Sequence, residues 1–128
     1  VKRPATIAII DDDPSVRRGV ERLLRSAGYL VEGFNSAATF LARDGARAPD
    51  CMVLDVSMPG QGGLDLHEVL RAAGHRFPVI FITGHGEAAI EARARRAGAA
   101  GFVTKPFDHD QLIGAIERAL ANRREQRG

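Results

Sequence analysis

The sequence predicts an α/β protein: five βα units forming one doubly wound, five-stranded parallel sheet with helices on both faces. Three observations carry this. Short, nearly continuous apolar runs rich in β-branched residues recur along the chain, which is the pattern of strands buried on both faces. Each run is followed by a stretch whose apolar residues fall at helical spacing between recognisable start and stop residues. The two patterns alternate strictly, and right-handed crossovers into a parallel sheet are the expected solution to that order. With 128 residues, 45% of them hydrophobic, the chain suffices for one core and is too short for two ordinary domains.

Taken in order, residues 5–10 (Ala-Thr-Ile-Ala-Ile-Ile) make the first strand, which stops abruptly at Asp11-Asp12-Asp13. Asp13 is placed to cap a helix with Pro14 at its first position, and Val16, Val20, Leu23, Leu24 and Ala27 supply the apolar stripe as far as Gly28. Residues 29–34 alternate more and include Glu32 and Gly33, so the second strand is expected at a sheet edge. Ser36 caps a short second helix carrying Ala37, Phe40 and Leu41, closed off by Asp44, Gly45 and Pro49. The third strand, residues 50–54, delivers the chain to Asp55 and then to a loop rich in chain-breaking residues. Leu64, Leu66, Val69, Leu70 and Ala73 define the third helix, ended by Gly74.

Residues 78–82 form another buried strand, ending in Thr83-Gly84. The helix expected over 87–97 has Ile90 as its one large apolar residue, so little buried area holds it and it can move cheaply. Residues 101–104 are the last strand, running into Lys105-Pro106-Phe107. Asp108 and Gln111 resemble a capping box for the final helix, whose stripe is Leu112, Ile113, Ile116, Ala119 and Leu120. Residues 1–121 read as one domain, and the polar residues 122–128 as a tail or linker start that should fray.

Composition excludes several function classes. The 18 basic and 16 acidic residues give a formal net charge of +2 without a dense basic block, and there is no Trp and one Tyr. Neither a nucleic-acid footprint nor a stacking platform follows, and no direct nucleic-acid contact is expected within this chain. No apolar stretch approaches the roughly 20 residues that span a bilayer, and there is no signal-peptide pattern, so a soluble, cytoplasmic protein with no membrane partner is expected. A single cysteine, Cys51, permits neither an internal disulfide nor a thiolate metal cage and is expected in the core. His67, His75, His85 and His109 lack metal-ligand spacing. The glycines at 60, 62 and 63 are not followed by the Gly-Lys-Ser/Thr of a phosphate loop and read as a flexible turn.

In a parallel sheet the strand ends share one edge, which is where open α/β sheets keep their ligand sites. Asp11 and Asp12, Asp55, Thr83 and Lys105 end four of the five runs, so they converge although far apart in sequence. Singly each has an ordinary explanation: an acid after a strand forms caps and turns, a threonine is a good strand residue, and a lysine before proline sits on surfaces. Asp55 resists that explanation because the next helix begins well beyond it. Hard carboxylate oxygens select Mg²⁺ or Mn²⁺. Three acids and one lysine sum to −2, the charge one divalent ion neutralises. A phosphoryl group arriving there would find the metal and Lys105 for its oxygens, Thr83 as hydroxyl donor and Asp55 as nucleophile.

The constellation Ile10-Asp11-Asp12, Asp55-Val56-Ser57-Met58-Pro59, Ile82-Thr83-Gly84 and Lys105-Pro106-Phe107 resembles the receiver domain of bacterial two-component response regulators, from about residue 5 to 120. The Thr83-Gly84-His85 run and the style of the helices are most similar to FixJ-type receivers. The resemblance implies a flavodoxin-like sheet with strand order 2-1-3-4-5 and a phosphorelay function. Asp55 would take a phosphoryl group from a phosphohistidine of a sensor histidine kinase. Mg²⁺ would be held by Asp11, Asp12 (the more direct of the two), Asp55 and the Ser57 carbonyl, with Thr83 and Lys105 on the phosphoryl oxygens. Phe102 would be the switch aromatic, turning inward as Thr83 moves, and the Lys105–Pro106 bond would be cis. Ser57 and His85 occupy positions that influence phosphate lifetime. The face made by the fourth helix, last strand and last helix would then act on an output domain or downstream protein, and the family also offers a homodimer formed on phosphorylation. Two departures stand out: Gly62 replaces an acid common before the third helix, and Phe102 lacks the hydroxyl of a tyrosine.

Three other readings compete. A Mg²⁺-dependent phosphohydrolase would want a second acid two residues after the nucleophile, where Ser57 stands, so at most slow self-phosphorylation and self-dephosphorylation are expected and not enzymatic turnover. A non-phosphorylated interaction module of the same fold is disfavoured by the complete set of acids and lysine. A DNA-binding regulator needs a helix-turn-helix, which these residues do not supply.

Overall fold

The computed structural model describes residues 3–43, 47–57, 62–84 and 88–127, with side chains described as far as Arg123. Its strands are β1 (Thr6–Ile10), β2 (Leu30–Phe34), β3 (Cys51–Asp55), β4 (Val79–Thr83) and β5 (Gly101–Thr104), each followed by a helix: α1 (Pro14–Ser26), α2 (Ala37–Ala42), α3 (Gly63–Ala72), α4 (Ala88–Arg96) and α5 (His109–Arg127). All neighbours pair in parallel, in the order β2-β1-β3-β4-β5. The expected fold class and strand order are therefore both observed, with the more alternating β2 on an edge.

The period-2 geometry of the strands divides the core into two layers. Ile7, Ile9, Cys51, Val53, Ile80, Ile82 and Val103 face one side, where they pack on α1 through Val20 and Leu24 and on α5 through Leu112, Ile116 and Ala119. Their neighbours Ala8, Ile10, Met52, Leu54, Val79 and Phe81 face the other side, with Phe40, Leu66, Leu70 and Ala94 from α2, α3 and α4. Each large side chain so buried contributes roughly 1.5–3 kcal/mol. The two central strands β3 and β4 are buried at every position. That leaves the termini of those strands as the places where chemistry can reach solvent.

Local signals explain the helix starts. Asp13 caps α1, its side chain accepting from the Ser15 and Val16 amides, with Pro14 opening the helix. Ser36 caps α2 by accepting from the Thr39 amide. At α5 the capping box is complete: the Asp108 carboxylate accepts from the Gln111 amide at 2.8 Å while the Gln111 side chain accepts from the Asp108 amide at 2.9 Å. By contrast, α3 starts on Gly62 without a side-chain cap.

The helix extends beyond its apolar stripe. The chain from Asn122 is polar and expected to fray, and α5 includes it as far as Arg127. Arg123 supplies the reason: its guanidinium donates to the Asp50 carbonyl at 2.8 Å and lies 3.6 Å from the Asp50 carboxylate. Asp50 in turn accepts from the Thr6 amide at 2.8 Å, so one acid ties the starts of β1 and β3 to the far end of α5. A tertiary anchor here offsets a polar, weakly amphipathic sequence. Replacing Arg123 with Ala is expected to speed amide hydrogen exchange selectively over residues 121–127 and to cost about 1 kcal/mol of global stability in urea unfolding.

Candidate functional site

At the C-terminal edge of the sheet, β1 ends into Asp11 and β3 ends on Asp55, side by side because β1 and β3 pair directly. Carboxylate oxygens of Asp11, Asp12 and Asp55 lie within 4.8 Å of one another. Asp11 and Asp55 are buried, whereas Asp12 is exposed and its side chain reaches the group from the solvent side. Thr83 is buried at the end of β4, in register with Thr104, and the Lys105 amide donates to the Thr83 carbonyl at 2.7 Å. Lys105 is only partly exposed, and its Nζ stands 3.6 Å from Asp11 Oδ2. The Lys105–Pro106 peptide is cis, as the family resemblance implied.

The structure thus brings together Asp11, Asp12, Asp55 and Lys105, with Thr83 on the adjoining strand end. Ser57 is exposed just past Asp55, and its amide donates to Asp55 Oδ1 at 3.0 Å. Phe102 is half-buried in β5, in register with Phe81, and packs against the layer formed by α2, α3 and α4. His85, and the 58–61 segment of the loop after Asp55, lie outside the described residues.

Hydrogen bonds to both backbone and side chain hold Asp11 in place. The Asp11 amide donates to the Phe34 carbonyl at 3.1 Å, and Asp11 Oδ1 accepts from the Asp13 amide at 2.9 Å. Asp11 Oδ2 is fully buried and has no hydrogen-bond partner. A buried carboxylate oxygen with no hydrogen-bond donor and a lysine nitrogen 3.6 Å away is an acceptor waiting for a donor or a cation. The donor set is all hard oxygen, so these residues fit Mg²⁺ or Mn²⁺ and not a thiophilic metal.

Charge follows from this packing. Burial pushes the Asp55 carboxyl up to about 6, and the nearby Asp11 charge adds to the rise, while the Ser57 hydrogen bond and Lys105 oppose it. Without a cation, Asp55 is therefore ionised at neutral pH at a cost to the fold.

Sequence reasoning missed two residues here. Arg17 on α1 donates to the Asp11 carbonyl at 2.8 Å. Gly63, the first residue of α3, lies so close to the chain end of β3 that a Cβ there would run into the Asp55 carbonyl oxygen. The glycine run was visible, but not that one member is needed for close approach rather than for a turn.

The comparisons with known proteins agree with this geometry. A profile of the response regulator receiver domain matches residues 7–117, and the chain belongs to that family. It is 43% identical over 125 residues to response regulator protein TodT of Pseudomonas putida F1, covering 98% of this chain and 55% of that protein. It is 41% identical over 120 residues to the transcriptional regulatory protein FixJ of Azorhizobium caulinodans, covering 94% of this chain and 57% of that one. The chain thus spans about half the length of the curated relatives it matches. Among solved structures, response regulator StyR aligns with a TM-score of 0.84 at 45% identity, over 98% of this chain and 65% of that one. The structure described as FixJ-N aligns at 0.86 and 35% identity, over 94% of this chain and 96% of that one. No helix among the described residues is long and apolar enough to cross a membrane.

Because the native Asp55 pKa of about 6 lies above the unfolded value of 3.8, ionisation favours the unfolded chain. The penalty is absent below about pH 4 and complete above about pH 7. In EDTA, Asp55→Asn is therefore expected to match the wild type at pH 4 and to exceed it by on the order of 2 kcal/mol at pH 8 in urea unfolding. For Gly63→Ala, the collision is with backbone and cannot be relieved by a rotamer, so a loss of about 1–3 kcal/mol is expected, read in the same assay.

Proposed function

We propose that Asp55 is the phosphoryl acceptor of this receiver domain and that a phosphohistidine on a sensor histidine kinase is the donor. The observation that carries the reading is the cluster of Asp11, Asp12 and Asp55, with its orphaned Asp11 Oδ2 and its single lysine. An Asp55 oxygen attacks phosphorus; the new O–P bond forms as the P–N bond breaks, and the electron pair leaves with the imidazole ring. Asp11, Asp12, Asp55 and the Ser57 carbonyl would hold Mg²⁺ or Mn²⁺. Bound there, the ion supplies positive charge against the acids and the incoming phosphoryl oxygens. Thr83 and Lys105 bind those oxygens, Lys105 as a compact point charge. Ser57 and His85 set how long the acyl phosphate survives. With Ser57 standing where a phosphohydrolase needs a second acid, the product is a switch state and not a turnover product.

The signal leaves through α4, β5 and α5. Phosphorylation changes the charge beside Thr83, Thr83 shifts, Phe102 turns inward, and α4 follows. The softness of α4 supports this: Ala94 is its one buried residue among those described, and Ile90 is half-buried. The result is a population shift of that face toward the form that an output domain, a downstream protein or a second receiver binds. The similarity to the transcriptional regulatory protein FixJ supports a transcriptional output.

Acetyl phosphate with Mg²⁺ is expected to add one phosphoryl group, detected by intact mass. Labelling should vanish in Asp55→Asn and with EDTA, and fall at least tenfold in Asp11→Asn. Undiminished labelling in Asp55→Asn would move the acceptor elsewhere.

A further inference from the structure

Resting on that reading of the acid cluster, we propose that Arg17 is a positioning residue for the metal site, acting through the peptide that joins Asp11 to Asp12. Its guanidinium donates to the Asp11 carbonyl at 2.8 Å, and that carbonyl belongs to the peptide linking the two acids. Rotation of this peptide plane would swing the Asp12 carboxylate relative to Asp11. The Asp11 amide is already held by Phe34 and its Oδ1 by the Asp13 amide. Arg17 supplies the remaining restraint, and among the described residues no side-chain hydrogen bond fixes the direction of the exposed Asp12.

The path of the side chain is built into the sheet. Arg17 is half-buried, whereas its neighbour Arg18 is exposed. Where β2 passes beneath α1 the residue is Gly33, and a Cβ there would meet the Glu21 carboxylate and come within 3.5 Å of Arg17 Cδ. The missing side chain leaves room for the Arg17 stem to lie across β2 and reach the end of β1. A glycine in a strand is otherwise a weakness, and this packing accounts for it.

The sign of the effect separates positioning from plain electrostatics. A cation beside a divalent-metal site repels the metal, so if Arg17 acted only as a nearby charge, its removal would tighten Mg²⁺ binding. If it positions the acids, its removal weakens binding, because outer-shell hydrogen bonds typically govern about 10–100-fold in metal affinity.

The test is Mg²⁺ titration of the unphosphorylated protein, followed by amide shifts of residues 11–13 and 55–57 in NMR. Arg17→Met keeps the apolar stem over Gly33 and removes the donor; it is expected to weaken Mg²⁺ about tenfold and to move the Asp12 and Asp13 amides even in EDTA. Arg17→Lys, which restores one donor, is expected to recover most of the affinity. Gly33→Val leaves the arginine in the sequence but obstructs its path, and is expected to weaken Mg²⁺ in the same direction. Unchanged or tighter binding in Arg17→Met, with the fold intact by circular dichroism, overturns the inference; if that variant does not fold, unchanged or tighter binding in Gly33→Val overturns it. Failure of the wild type to bind Mg²⁺ at all would instead remove the reading of the acid cluster on which the inference stands.

Discussion

Mutual repulsion among three carboxylates is the constraint on which the rest of the structure depends. Asp11, Asp12 and Asp55 bring ligand oxygens within 4.8 Å of one another, two of the three being buried. Side chains in water would separate; here they cannot, because the ends of β1 and β3 are locked in register and surrounded by filled core. Hydrogen bonds to the Phe34 carbonyl and from the Asp13 and Ser57 amides and the Arg17 guanidinium hold Asp11 and Asp55 from behind, and Lys105 stands 3.6 Å from Asp11. The fold thus keeps charge concentrated at a site where a cation or a phosphoryl group changes the balance sharply.

The rest of the domain is densely packed behind that charge and lightly packed under α4, where the proposed readout lies. The layer against α1 and α5 is continuous from Ile7 to Ala119, whereas α4 contributes one buried alanine to the opposite layer. Beyond that alanine and the half-buried Ile90, α4 is linked to α3 by Arg93, 3.3 Å from Glu68 and 3.8 Å from Asp65. All three side chains are more than half exposed, so the pairs are screened and weigh little, at about 0–1 kcal/mol each. A helix held this way can be displaced by small changes at the end of β4, which leads directly toward it.

Much of this was legible in the sequence, for a physical reason. Strands buried on both faces must be continuously apolar, so the residue at which the pattern breaks marks the sheet edge, and Asp11, Asp55, Thr83 and Lys105 all stand at such breaks. What stayed hidden depends on contacts between residues distant in the chain. The Asp50 tie to Arg123, which carries α5 through a polar stretch, spans the whole fold. Gly63 and Gly33 look like ordinary glycines until the backbone or side chain beside them is known. In α3 the polarity of one residue misdirected the stripe: Val69 was assigned inward and is 41% exposed, whereas His67, three residues from both Leu64 and Leu70, is 2% exposed with its ring edge-on to Phe81. Burial holds that histidine below the usual imidazole range, with the Arg71 charge acting in the same direction, so it fills a core position as a neutral ring.

The central claim is that the charge state at Asp55 is transmitted to the α4–β5 face. Beryllofluoride with Mg²⁺, a stand-in for the acyl phosphate, tests this most directly when added to isotope-labelled protein and followed by amide shifts. The account predicts changes at residues 55–57 together with changes through Ala88–Arg96 and Gly101–Thr104, all absent in Asp55→Asn. Changes confined to residues 11–13 and 55–57, with α4 and β5 unmoved, would contradict it.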